Sequence, residues 1–496
     1  MTASPEAPTP VDRERGSRVA HAWSTFRAWL GLVAGPAAYV AWALFRWWQS
    51  SGTGQGVWQD TQGYLTQAAA PLGSLDFWAG ARAPGLPLVM RIAGSDPARV
   101  VGIQIGVSIV AWAVLALAAG ACARAGWRRA VASGLVLALA CTRPVTQWDR
   151  QLLTESLSLS TLAVCTAALL WFARRRDAWS GAALVLAATV WLSLRDTHAL
   201  VVGLTGVVVL VVAVVAGRRS TRDPVAGHRP GAEVTVLVVV GVLLAGIAFV
   251  GQAAADHGRR GVGPIAGVYA TRVLPFADRR DWFADRGMPQ ARDLRVRARD
   301  ARDATPAGAA VVVNAFPGDA ELDRYTRWLT DHGTSTLLRY AVTHPGYVVG
   351  EPFVRPGRDF NNLGRWANYV AVDHDVAVLG LLVFPPWPWV LAVALLAVAV
   401  TVARRRWATT WPVVWWVTVG WGLVGLVHLL AAWHGDAQEV TRHVLLADVQ
   451  VRLAVLLAVG WAVDALGRPA AVSATGPPAT DGPTNGPPGR GRRRSG

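Results

Sequence analysis

The sequence predicts an all-α polytopic membrane protein with about ten transmembrane helices and a long extracytoplasmic loop domain of mixed structure. Three observations lead to this fold class. The chain has 496 residues, of which 53% are hydrophobic and only 16% are charged, a balance too apolar for an ordinary soluble protein of this length. Apolar stretches of about 20 residues, the length a helix needs to cross a bilayer, recur along the chain. The connections between them carry arginine clusters on alternate sides.

The apolar stretches divide into seven segments before residue 255 and three after residue 383. Residues 1–27 are expected to form a cytoplasmic N-terminal segment that leads into an uncleaved signal anchor. Residues 467–496, rich in Pro and Gly, are expected to form a disordered cytoplasmic tail. The ten predicted transmembrane segments are 28–47, 99–121, 130–147, 152–173, 179–195, 198–217, 233–254, 384–403, 408–431 and 443–466.

The arginines of the short connections predict the orientation of these helices, because positive charge accumulates in cytoplasmic loops. The clusters "RERGSR", "CARAGWRR", "ARRRD", "GRRSTRD", "ARRRW" and "GRGRRRSG" all fall on one side of a ten-helix arrangement. Both termini are therefore predicted to be cytoplasmic. The opposite face receives the first loop, 48–98, the long loop domain, 255–383, and the short connections at 143–151, 195–197 and 432–442.

The same composition argues against two other classes of protein. The net charge of +16 comes from a chain without lysine, and its arginines are scattered between apolar runs, which is typical of topology signals and not of a nucleic-acid interface. The three cysteines, Cys122, Cys141 and Cys165, are isolated and have no histidine at metal-ligand spacing. A disulfide framework or a structural zinc site is therefore not expected.

The first extracytoplasmic loop contains the first candidate functional residues. Asp60 precedes Tyr64 by four positions, so both side chains share one face if this stretch is helical. The segment "RAPGLPL" then supplies Arg82 together with Pro84 and Pro87. The alternative for Asp60 is that its carboxylate only caps a loop helix.

The segment "WDRQLLTESL" contributes the second acidic position at the outer end of the fourth predicted helix. Acids at the entrance of a membrane helix are unfavourable unless they are paired or functional. Asp149 and Glu155 lie six positions apart, so they would not share a face of one regular helix. Either residue is a candidate, and Asp149 with Arg150 is alternatively a simple ion pair at the membrane surface.

Two further arginines lie on the predicted outer side. Arg195, in "WLSLRDTHAL", lies between two predicted helices, where its side chain either has a functional role or extends to the membrane interface. Arg442 and His443 open the last predicted helix. Within that helix Asp448 and Arg452 are four positions apart and are expected to pair, which lowers the cost of placing either in the membrane.

Taken in order, an acid, an R-x-P-x-x-P stretch, a second acid, an arginine and an Arg-His pair resemble the polytopic glycosyltransferases of the GT-C fold, related to protein mannosyltransferases and to the lipid A aminoarabinose transferase. The resemblance implies transfer of a sugar from a polyprenyl-phosphate donor to an envelope glycan, lipid or protein, with inversion. It implies that Asp60 is the base, with Glu155 or Asp149 as the second acid. It further implies that Arg195, Arg442, Arg150 and Arg82 bind the donor phosphate, and that Tyr64 and His443 contact substrate.

Metal dependence varies among such enzymes, so a divalent cation is possible and not required. The long loop is expected to bind the acceptor or to close over the donor. The high content of Arg, Ala, Val and Gly suggests a high-GC bacterium, which predicts a plasma-membrane location. Two alternatives stay open: a transporter or flippase, in which intramembrane charges line a path, and a non-catalytic GT-C-like scaffold.

Overall fold

The computed structural model describes residues 35–52, 55–123, 126–220, 230–289, 320–354, 374–376, 378, 380, 386–405, 413–435 and 440–466. These residues are mostly helical and contain no β-strand; their one extended pairing is an isolated parallel bridge between Gly56 and Gln151. The predicted all-α class is therefore confirmed for the described part of the chain. The N-terminal segment, the C-terminal tail and parts of the long loop lie outside the described residues.

The helices are numbered here in chain order. The first group comprises α1 (35–50), α2 (Gln59–Ala68), α3 (Leu75–Trp78), α4 (Gly85–Ile92), α5 (Pro97–Cys122), α6 (Trp127–Ala140), α7 (Arg143–Thr146), α8 (Glu155–Arg175), α9 (Ala178–Leu192), α10 (Thr197–Ser220) and α11 (Pro230–His257). The second group comprises α12 (Val262–Val268), α13 (Ala277–Ala284), α14 (Ala320–Trp328), α15 (Thr334–Thr343), α16 (Pro345–Val354), α17 (Trp387–Arg405), α18 (Val413–Gly435) and α19 (Val440–Leu466).

Six helices among the described residues are long and apolar enough to cross a membrane: α5, α8, α10, α11, α18 and α19. The helices α9 and α17 are apolar but shorter. Large apolar side chains on the outer faces of α10 and α11, such as Val211 and Phe249, are 56% and 76% exposed, as expected for surfaces that face lipid. The predicted count of ten spans stays a prediction, because its first segment lies partly outside the described residues and others correspond to shorter helices.

The predicted third span, 130–147, is interrupted. The helix α6 ends at Ala140, Thr142 is extended, and the four-residue helix α7 then begins with Pro144 in its first turn. Proline is tolerated there because first-turn amides have no partner within the helix. The interruption turns the chain toward residues 148–154, which lead into α8.

Two central helices position the candidate site. The apolar windows of α8 and α19 are 78% and 83% buried, against 39% and 28% for α10 and α11. α8 and α19 therefore lie inside the bundle, and their N-terminal ends carry Glu155 and Arg442. Within α19, Arg452 Nε lies 3.0 Å from Asp448 Oδ1, and both side chains are almost fully buried, which confirms the predicted intrahelical pair.

Residues 258–289 and 320–354 of the long loop form helices α12 to α16 and two π-helical turns around a second apolar cluster. Phe283, Trp328 and Tyr340 belong to this cluster. The segment is attached to the C-terminal end of α18, where Arg272 donates a hydrogen bond to the Trp433 carbonyl and His434 Nε2 lies 2.9 Å from the Val348 carbonyl oxygen.

Candidate functional site

The beginning of α2 places Asp60 beside the entrance of α8. The chain before α2 is fastened to residues 150–152: Gly56 N donates to the Arg150 carbonyl (3.1 Å), and Leu152 N donates to the Gly56 carbonyl (2.9 Å). The Thr61 hydroxyl donates to the Leu152 carbonyl (3.1 Å). Asp60 lies in the first turn of α2, where a helix N-terminus favours negative charge.

Arg442 joins the two acids. Its Nη2 donates to Asp60 Oδ2 at 2.8 Å, and its Nε donates to Glu155 Oε1. These contacts connect the starts of α2, α8 and α19, which are far apart in the chain. The guanidinium therefore presents two donor groups to two different carboxylates at the same time.

Two more arginines complete this group. Arg82 Nη2 lies 2.8 Å from Asp60 Oδ1, and Arg195 Nη2 lies 3.4 Å from Glu155 Oε1. We call Asp60, Arg82, Glu155, Arg195 and Arg442 the acid-arginine cluster. The turn between α9 and α10, which carries Arg195, thus lies on the same side of the bundle as the starts of α8 and α19.

One part of the acid-arginine cluster is buried, and the other part is accessible. The side chains of Arg442 and Glu155 are 4% and 3% exposed, whereas those of Asp60 and Arg82 are 28% and 37% exposed. Three guanidiniums face two carboxylates, so the cluster carries a formal excess of one positive charge. A partly accessible group of this kind favours an anionic ligand that approaches from the side of Asp60 and Arg82.

The arginines keep Asp60 ionised. Burial acts to raise the pKa of Asp60, but Arg442 and Arg82 outweigh it, so the pKa lies below its usual value. Tyr64 is on the same face of α2, as predicted, and the Arg82 guanidinium lies 5.3 Å from its ring centroid. Burial and the charge of Glu155 raise the pKa of the Tyr64 hydroxyl, which stays a hydrogen-bond donor at neutral pH.

Gln67 fixes the position of Arg82, and the sequence offered no particular signal for it. Arg82 N donates to Gln67 Oε1 (2.7 Å), and Gln67 Nε2 donates to the Arg82 carbonyl (2.6 Å). One turn further on, Gly85 N donates to the Ser193 carbonyl at 2.7 Å. The "RAPGLPL" segment is thereby held against the turn that carries Arg195.

Asp149 lies in a different environment. Its Oδ2 is 2.6 Å from Arg46 Nη2, and both side chains are almost fully buried. The hydroxyls of Ser50 and Ser156 donate to the same carboxylate at 2.9 and 2.8 Å. Of the two candidates for the second acid, Glu155 is thus the one in the acid-arginine cluster, and Asp149 belongs to a separate buried ion pair.

Arg46, the partner of Asp149, was not among the predicted site residues. The sequence feature that could have identified it is its position inside an apolar segment, "ALFRWW", because a charged residue in such a segment requires a partner. The two remaining candidates are Arg150 and His443. Arg150 contributes its backbone carbonyl to the contact with Gly56, and His443 is half-buried beside Arg442 and interacts electrostatically with Glu155.

A divalent cation has no obvious ligand set in the described part of the chain, which contains no group of three or more His, Cys, Asp or Glu side chains that could hold one. Asp60 and Glu155 supply carboxylate oxygens, but their oxygens accept hydrogen bonds from guanidiniums. A cation would have to compete with those arginines. The cluster is better suited to a phosphate, for which arginine provides a matching planar donor pair.

No family model matches this chain, and no curated protein matches it in sequence.

Proposed function

We propose that this protein is a membrane glycosyltransferase that moves a sugar from a polyprenyl-phosphate donor to an acceptor in the extracytoplasmic cell envelope. The observation that carries the proposal is the acid-arginine cluster, in which Arg442 bridges Asp60 and Glu155 while Arg82 and Arg195 flank them. Its members are the residues on which the resemblance to GT-C glycosyltransferases rests. The excess positive charge suits a phosphate-bearing donor.

The proposed reaction is a single displacement at the anomeric carbon. The acceptor hydroxyl oxygen forms the new glycosidic bond, the bond from the anomeric carbon to the phosphate oxygen breaks, and the polyprenyl phosphate leaves with the electron pair. Asp60, the more accessible of the two acids, takes the proton of the hydroxyl as general base. Attack opposite to the leaving group inverts the configuration.

The arginines have two roles in this scheme. Arg442, Arg195 and Arg82 stabilise the charge that develops on the leaving phosphate. A phosphate that takes hydrogen bonds from Arg442 and Arg82 also competes with Asp60 for the same donors. Those two arginines lower the pKa of Asp60. If their hydrogen bonds moved from Asp60 to the phosphate, the pKa of Asp60 would rise, and Asp60 would be a stronger base when the donor is bound.

Glu155 is assigned to positioning and not to proton transfer. Its side chain is only 3% exposed, and its Oε1 is contacted by both Arg442 and Arg195. A carboxylate in this position orients two guanidiniums toward the accessible side of the cluster. Tyr64 and His443, on either side, are proposed to contact the substrate, with the Tyr64 hydroxyl as a donor.

The proposed orientation follows from the chemistry and from the arginine pattern. Lipid-linked sugars are used on the outer side of a bacterial plasma membrane, where nucleotide sugars are absent. The arginine-rich connections predict that both termini are cytoplasmic and that the starts of α8 and α19 are outside. The full ten-span arrangement and the role of 255–383 as an acceptor-binding domain are parts of this proposal.

The proposal is tested by deletion of the gene and mass spectrometry of the cell-envelope glycans. The expected result is the loss of one type of sugar residue, which returns on complementation with the wild-type gene. Arabinose and mannose, common in lipid-linked donors, are the first residues to examine. An unchanged glycan profile together with an altered distribution of an envelope lipid across the membrane would instead favour a transporter.

A further inference from the structure

A fourth arginine, Arg260, pairs with Asp196, the residue that follows Arg195 of the acid-arginine cluster, and uses one of its three guanidinium nitrogens for this contact. It follows α11, and its side chain is 6% exposed. Its Nη1 donates to Asp196 Oδ1 at 2.6 Å. The other two nitrogens, Nε and Nη2, are buried and have no hydrogen-bond partner among the described residues. Buried donors of this kind are uncommon in folded proteins and require an explanation.

The backbone fixes the position of Arg260. After α11 the chain turns through Arg259, whose φ is +51°, a conformation that residues other than glycine rarely adopt. Arg259 N donates to the Asp256 carbonyl and Arg260 N to the Ala255 carbonyl, both at 3.0 Å. This is the Schellman pattern that ends many helices, with an arginine where glycine is usual. The side chain of Arg260 is therefore directed by a closed helix end and not by a loose loop.

The same helix end contacts the first loop. A Cβ atom added to Gly258 would lie 2.1 Å from the Gly80 carbonyl oxygen. The backbones of Gly258 and Gly80 are therefore in contact, and Gly80 precedes Arg82 by two residues. On the other side, Asp196 directly follows Arg195 in the chain. Arg260 thus lies where the segments that carry Arg82 and Arg195 meet.

The unused part of Arg260 has a defined chemistry. Nε and Nη2 form the edge of a guanidinium that donates two parallel hydrogen bonds to two oxygens of one phosphate or carboxylate. Nη1 is already engaged by Asp196, so the two functions do not compete. An ammonium group could not do both, because it lacks the planar fork.

We propose that Arg260 is a further phosphoryl-binding residue of this site, with its Nε–Nη2 edge on the phosphate and Nη1 on Asp196. The inference rests on the proposed function, which supplies a lipid phosphate as the ligand. It adds to that function a contact from the end of α11, so that the phosphate is held from four segments of the chain.

The test is direct binding of farnesyl phosphate to the full-length protein in lipid nanodiscs, by calorimetry. Arg260→Gln removes the fork, and binding is expected to weaken about 30-fold, as for the loss of charge-assisted hydrogen bonds. Arg260→Lys keeps the charge and is expected to lose about tenfold. Asp196→Asn is the matched control: it removes the negative charge beside Nη1, keeps the guanidinium, and should change binding by less than about fivefold.

The outcomes separate the inference from the function on which it rests. No binding of farnesyl phosphate to the wild-type protein would contradict both. Wild-type binding that Arg260→Gln leaves unchanged would contradict only the role of Arg260. Equal losses in Arg260→Gln and Asp196→Asn would show that the Arg260–Asp196 ion pair supports binding as a unit, which would contradict a direct contact of the Nε–Nη2 edge with the phosphate. Gel filtration and thermal midpoints of each variant establish that it is folded.

The chemical class of the ligand is tested with three analogues. Farnesol should not bind, and farnesoic acid, a carboxylate of similar length, should bind more weakly than farnesyl phosphate. Equal binding of the carboxylate would overturn the assignment to phosphate. Inorganic phosphate distinguishes the source: binding as tight as that of farnesyl phosphate, with the same dependence on Arg260, would support a phosphoryl site but identify free phosphate as its ligand.

Discussion

Arg442 donates a hydrogen bond from Nη2 to Asp60 Oδ2 at 2.8 Å, across 382 positions of the chain. The same guanidinium donates from Nε to Glu155. A residue at the start of the last helix therefore closes a site whose acids come from the first loop and from α8. The contact with Glu155 is buried, whereas the contact of Asp60 with Arg82 is half-exposed, and this difference has measurable consequences.

Removal of Arg442 is expected to destabilise the protein much more than removal of Arg82. Arg442→Gln leaves Glu155 buried with weaker compensation, and breaking such a buried pair typically costs about 3–5 kcal/mol. Arg82→Gln breaks a half-exposed pair, for which about 0–1 kcal/mol is usual. Equilibrium unfolding in mixed micelles measures both values. Equal losses would show that Glu155 is not held chiefly by Arg442.

Asp149 and Arg46 are expected to behave as a structural unit. Asp149→Leu alone leaves Arg46 buried without its carboxylate, at a cost of about 3–5 kcal/mol, whereas the double variant Arg46→Met with Asp149→Leu is expected to be more stable than the single variant. Per folded molecule, the double variant should keep most of its transfer activity. A folded double variant without activity would make Asp149 a candidate for the second acid of the site again.

The pairing of Asp60 predicts how stability depends on pH. Its folded pKa is below the usual value of 3.8, so the unfolded state takes up a proton first as the pH falls. The stabilisation is complete above the unfolded pKa and is lost as the pH falls through the lowered folded pKa. The thermal midpoint of the wild type should therefore drop more steeply below about pH 4 than that of Asp60→Asn.

The control for this experiment is Asp76→Asn, which alters an exposed acid in the same first loop. It should follow the wild-type curve. If the thermal midpoints of the wild type and Asp60→Asn decreased equally below about pH 4, this would contradict the assignment of a lowered pKa to Asp60.

The sequence predicted the helical class and most members of the site, because these follow from local signals. Apolar stretches of sufficient length identify membrane helices, and charged residues at their ends are conspicuous. The spacing of Asp60 and Tyr64, and of Asp448 and Arg452, was enough to predict a shared helix face in each case. These predictions depend on neighbours within a few positions.

The remaining features depend on contacts between distant segments. No sequence feature near Asp149 indicates that Arg46 is its partner, so this ion pair could not be predicted. The interruption of the segment 130–147 was missed because its apolar character hid the effect of Pro144. Arg260 stands in "HGRRGVGP", where no spacing marks it; only the closed end of α11 brings it to Asp196.

The most direct test of the central claim, that Asp60 is the base of a polyprenyl-phosphate-dependent transfer, uses the purified protein in proteoliposomes. Release of polyprenyl phosphate from a radiolabelled prenyl-phospho-sugar, with the acceptor fraction of the envelope present, is followed for the wild type, Asp60→Asn and Asp76→Asn. A role of Asp60 as the base predicts activity for the wild type and Asp76→Asn, and a loss of about 10²–10⁴-fold for a folded Asp60→Asn. Transfer by Asp60→Asn at the wild-type rate would contradict it.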